Sequence, residues 1–107
     1  MSESRESVLL ADVPDGLFIG GDWRAAEGDK RLRVFDPATG GVVKQIADAS
    51  VADGRSALDA ADAAFPAWSR TPLRERAELL RRAFDLLQER KEDFALLMTI
   101  EMGKPIA

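Results

Sequence analysis

The sequence predicts an α+β fold in which short antiparallel strands are followed by three helices. Two observations predict it. Up to residue 47, apolar residues alternate or cluster in short runs broken by Gly and Pro; from residue 50 onward they recur at steps of three and four. Turn chemistry also falls between the runs rather than within them, at Gly20-Gly21, Glu27–Lys30 and Asp36–Gly41. On this reading residues 1–16 are a flexible lead-in. Residues 17–107 form one unit, with a β region over 17–47 and helices over 50–103.

The lead-in is polar and mixed, with one turn of helix expected at Val8–Ala11, ended by Pro14, Asp15 and Gly16. Leu17–Ile19 and Asp22–Ala25 flank Gly20-Gly21, a two-residue hairpin signal because Gly reaches positive φ at little steric cost. Arg31–Asp36 alternates, with Leu32 and Val34 on one face and Arg31 and Arg33 on the other. Asp36-Pro-Ala-Thr-Gly-Gly41 is a turn, and Val42–Ala47 is a fourth strand. Four strands this short bury little alone and must lean on another element.

Ser50 followed by Asp53 fits a capping box opening the first long helix. Val51, Leu58, Ala61, Phe65 and Trp68 share a face, and Pro66 is expected to end or kink the helix after Phe65. Thr71-Pro72 reads as N-cap and first residue of a second helix. Its stripe is Leu73, Ala77, Leu80, Phe84 and Leu87, with Arg74–Glu78 and Glu78–Arg82 pairs opposite. Gln88–Asp93 reads as a turn, in preference to an exposed part of a continuous helix. The third helix, from Phe94, is apolar on nearly every side, which predicts burial; Gly103 caps it and Pro105 stops it. Glu101 interrupts that apolar surface.

Composition limits the function. The chain has 107 residues, 46% hydrophobic and 32% charged, the make-up of a globular domain able to bury its own core. Its net charge is −4, from 15 basic and 19 acidic residues, and the basic residues are interleaved with acids, as in Arg74-Glu75-Arg76. No basic face forms, which argues against nucleic acid. No apolar run reaches the roughly 18 residues of a membrane span. The segment Met1–Ser7 has no signal-peptide core, and the absence of Cys agrees with a cytoplasmic protein.

The chain contains neither Cys nor His, and Tyr is absent too. Thiolate nucleophiles, Ser–His pairs and His-containing metal sites are therefore excluded within it. There is no G-x-G-x-x-G and no phosphate-binding loop signature. Carboxylates and Lys are what remain for acid–base work. No catalytic, cofactor-binding or metal residue is assigned.

Five stretches in order resemble the N-terminal part of the NAD(P)-dependent aldehyde dehydrogenase superfamily. They are Leu17–Trp23, Phe35-Asp-Pro-Ala-Thr-Gly40, Ala64-Phe-Pro-Ala-Trp68, Arg74–Ala77 with Leu79–Arg82, and Glu101-Met-Gly-Lys-Pro105. Phe94–Pro105 and Asp53–Leu58 look most like bacterial succinate-semialdehyde dehydrogenases. The resemblance implies that the chain is an N-terminal fragment of an α/β fold: a gene fragment, a truncated reading frame or an isolated piece. It implies a full-length homodimer or homotetramer that uses NAD or NADP, a Cys nucleophile and a Glu-assisted water to oxidise an aldehyde. Those catalytic groups lie beyond residue 107 in the family, so the chain alone is expected to bind no cofactor and to be inactive. Its expected partner is the remainder of that fold, or a second copy through the third helix. The rival reading is a stand-alone, non-catalytic α+β interaction module.

Glu101 has two open readings. An acid at this position in some family members helps bind a monovalent cation, with carbonyls near Val34 and Phe35; otherwise an Arg or backbone N–H groups satisfy the carboxylate. Lys104, just past a helix cap, reads as a surface cation complementing the helix dipole rather than a base. Trp23 and Trp68 read as core packing rather than a stacking pair. Gly20-Gly21 opens no helix and is not a phosphate cradle.

Overall fold

A computed structural model describes residues 4–106. Helix α1 (Arg5–Asp12) leads into hairpin β1 (Leu17–Ile19) and β2 (Asp22–Arg24). A single 3-10 turn at Glu27–Asp29 precedes the hairpin of β3 (Arg31–Phe35) and β4 (Val42–Ala47). Helices α2 (Val51–Ser69), α3 (Leu73–Glu89) and α4 (Lys91–Met102) complete the chain. The two hairpins form separate two-stranded antiparallel sheets rather than one sheet.

The turns follow their chemistry. Gly20 and Gly21 hold φ of 62° and 89°, as the two-residue β1–β2 turn requires. Leu17 pairs with Arg24 and Phe18 with Trp23. In the second hairpin Arg31 pairs with Ala47 and Val34 with Lys44, and an irregularity after Val34 sets Phe35 opposite Val42.

The helices depart from expectation in four places. The lead-in carries α1, eight residues rather than one turn, because Ser4 caps it by accepting the Ser7 N–H. Pro66 does not end α2, which runs on to Ser69. The ring removes one bond to the carbonyl of Asp62, an exposed residue whose carbonyl water can serve. Thr71 does not cap α3: its hydroxyl donates to the Ala67 carbonyl at 3.1 Å, and Pro72 takes the cap position. Gln88–Asp93 is no turn either. A single residue, Arg90, joins α3 to α4, and its N–H and C=O still bond to Leu86 and Phe94.

The expected core does not close. Among the described residues only Ala26 and Ile100 are buried apolar side chains. The surface area is 8666 Å², against about 5,900 Å² for a compact chain of this mass. The radius of gyration is 17.2 Å, against about 13 Å for a compact domain of about 100 residues. Much of the excess lies on the helix faces. Val51, Leu58 and Phe65 of α2, and Leu73, Leu80, Phe84 and Leu87 of α3, are all exposed. Helix α4 buries Ile100 and half-buries Leu96 and Leu97, while Phe94, Met98 and Met102 face outward, so its expected all-round burial is not met. No helix among the described residues is long and apolar enough to cross a membrane.

Candidate functional site

The most highly bonded side chain belongs to Asp53, at the start of α2. Ser50 and Asp53 form the expected capping box: the Asp53 N–H donates to Ser50 Oγ at 3.1 Å, and the Ser50 N–H donates to Asp53 Oδ2 at 2.9 Å. The same Oδ2 accepts the backbone N–H of Glu27 at 2.9 Å, 26 residues away. Arg24 Nη2 lies 3.7 Å from Oδ1. Asp53 is the one buried charged residue among those described. Its carboxyl is held below the usual carboxylate range, first by the Glu27 N–H, then by the Ser50 N–H, with smaller help from the Ser50 hydroxyl and Arg24; burial opposes them. Oδ2 takes all three hydrogen bonds and Oδ1 faces Arg24, so Asp53 ties the β2–β3 connection to α2, and its lowered pKa makes it a weak base.

Glu101 lies at the edge of an apolar cleft of about 130 Å³ between α1, the β3–β4 hairpin and α4. Leu10, Val13, Val34, Val43, Ile46, Leu97 and Lys44 line it. The Glu101 side chain is exposed, and among the described residues it joins no hydrogen bond and no ion pair. The expected Arg or N–H partner is therefore not found: water solvates this carboxylate instead. Val34 shares the cleft with Glu101, whereas Phe35 does not line it.

The other singled-out residues are dispersed. Lys104 is exposed beyond Gly103, which caps α4 with a φ of 78°; the Lys104 carbonyl accepts the Thr99 hydroxyl at 2.6 Å. Trp23 and Trp68 are exposed rather than in a core, because the faces that carry them are uncovered. Trp23 packs on Phe18, with ring centroids 4.9 Å apart. No group of three metal-ligating acids exists among the described residues. Among the described residues no nucleophile, base and oxyanion donor come together. Sequence reasoning found the capping box but not the Glu27 N–H or Arg24, which only the tertiary fold delivers to Asp53.

A family model described as "Aldehyde dehydrogenase family" matches residues 23–107. The chain is 43% identical over 90 residues to a glutarate-semialdehyde dehydrogenase of Pseudomonas aeruginosa, covering 84% of this chain and 19% of that protein. It is 61% identical over 62 residues to a succinate-semialdehyde dehydrogenase of Paenarthrobacter nicotinovorans, covering 58% of this chain and 14% of that protein. A solved structure of PnpE in complex with nicotinamide adenine dinucleotide superposes with a TM-score of 0.84 at 35% identity, over 88% of this chain and 19% of the other. The chain spans about a fifth or less of the length of these proteins. The strand-then-helix order and the five spaced motifs thus have one common explanation: the chain belongs to the aldehyde dehydrogenase family.

Proposed function

We propose that this chain is the N-terminal scaffold segment of an NAD(P)-dependent aldehyde dehydrogenase of succinate-semialdehyde type, acting in the cytoplasm, and that the chain alone is inactive. The observation that carries this reading is the open apolar surface of α2 and α3. Two amphipathic helices, each with a regular stripe and no covering layer, are half of a packing interface. The remainder of a larger fold supplies the other half. The absence of Cys supports the inactivity, since a thiolate is the nucleophile this chemistry requires. Succinate and glutarate semialdehydes both carry a carboxylate at the far end, so the proposed substrate is a short aldehyde with an anionic tail.

A segment exchange tests the scaffold role. Residues of this chain replace the matching 90 residues of the Pseudomonas aeruginosa enzyme. The chimera is expected to be soluble and active, with the recipient's ranking of aldehydes and cofactors unchanged. A folded chimera whose ranking shifts would place specificity in this segment and overturn the reading.

A further inference from the structure

Helix α1 docks on α4 through half-buried Leu9 and Leu10, and on β4 through one cation. We propose that α1 is a detachable strap latched by Lys44. An eight-residue helix is below the roughly 12–15 residues needed for stability in water, so α1 is helical only where it is docked. It buries no residue; Leu9 and Leu10 are half-buried. At its N-terminal end Arg5 reaches Glu92 and Asp93 of α4 at 3.8 and 3.6 Å, between exposed side chains that salt readily screens.

At the other end the bond is of a different kind. Helix α1 has no basic residue in its own last turn. The missing cation comes from β4: Lys44 Nζ donates to the Leu10 carbonyl at 2.7 Å from a half-buried position. This charge-assisted bond joins the Val13 N–H, 3.3 Å from the same carbonyl, at the negative end of the helix, where a cation is most favourable. Docking of α1 and its helicity are therefore coupled through one side chain 34 residues away.

Release of α1 uncovers the apolar cleft of Val34, Val43, Ile46 and Leu97. It also frees the Lys44 ammonium in the cleft that Glu101 lines. Glu101 has no bonded partner among the described residues, so the open state offers Lys44 a carboxylate in exchange for the Leu10 carbonyl. The latch thus has two alternative acceptors, one for the closed strap and one for the open.

Amide hydrogen exchange on the purified chain tests this. Lys44→Met keeps the apolar stem but removes the donor; it is expected to raise exchange over residues 5–12 about tenfold, the scale of a lost charged hydrogen bond. Exchange in β3, β4 and α2 is expected to stay within about twofold. Lys44→Arg retains a cationic donor and is expected to keep α1 protected. Unchanged protection of α1 in Lys44→Met would overturn the proposal. So would an equal rise in every element, since that signals general unfolding rather than a released strap.

Discussion

The carboxylate of Asp53 accepts the backbone N–H of Glu27 at 2.9 Å, joining the first turn of α2 to the loop between the two hairpins. The chain crosses 26 residues to make this contact. With so few buried apolar side chains, such polar ties carry an unusual share of the tertiary organisation.

Removing the cap partner should be costly but survivable. Ser50→Ala is expected to lower stability by about 1 kcal/mol, the ordinary loss for an N-cap. Asp53→Asn should lose more, because Asn keeps an acceptor but loses the charge that Arg24 and three donors face. Thermal melts of the two variants beside the parent chain check the ranking. The same variants carry a pH signature. Folding lowers the Asp53 pKa, so its contribution is fully present above the unfolded value of about 3.9 and is lost as pH falls through the lower folded value. The gap in melting temperature between parent and Asp53→Asn should therefore be widest near neutrality and shrink in acid. A gap that widened as pH fell would mean the assigned bonds are not what stabilises Asp53.

Two glycines, one capping α4 and one inside α2, should respond with opposite sign. Gly103 holds φ of 78°, and a Cβ there would stand 3.3 Å from Pro37 Cγ. Gly103→Ala is expected to cost about 1–2 kcal/mol from the left-handed backbone alone. Gly54 lies in the first turn of α2, with nothing near the position of an added Cβ. Gly54→Ala should stabilise by about 0.5–1 kcal/mol. Denaturant midpoints measure both.

Glu101 is exposed and unbonded among the described residues. Glu101→Gln is accordingly expected to change stability by less than about 0.5 kcal/mol. Titration of thermal stability with sodium or potassium should give the same response in parent and variant. A cation-dependent gain confined to the parent would instead support a monovalent ion held at this carboxylate.

Local chemistry was legible in the sequence where one segment decides it. Gly20-Gly21 dictated its hairpin, Ser50 with Asp53 its capping box, and Gly103 its helix end. Pro66 did not end its helix and the polar run at Gln88–Asp93 misled, because an exposed helix tolerates one missing bond and a polar stretch alike. The largest divergence concerned burial. The stripes of α2 and α3 were placed correctly, but periodicity says only that a face is suited to packing, not that this chain contains its partner. Leu80 illustrates it: centred on its stripe and 72% exposed. Long-range polar ties, Lys44 to Leu10 and Asp53 to Glu27, were invisible because no sequence pattern relates their members.

On the proposed reading this chain carries scaffold and no chemistry. The most direct test incubates the purified chain with succinate semialdehyde and NAD or NADP and follows reduced cofactor by absorbance. No reduced cofactor is expected above the protein-free control at any chain concentration. Reduced cofactor produced in proportion to the chain, and persisting through repeated purification, would contradict it.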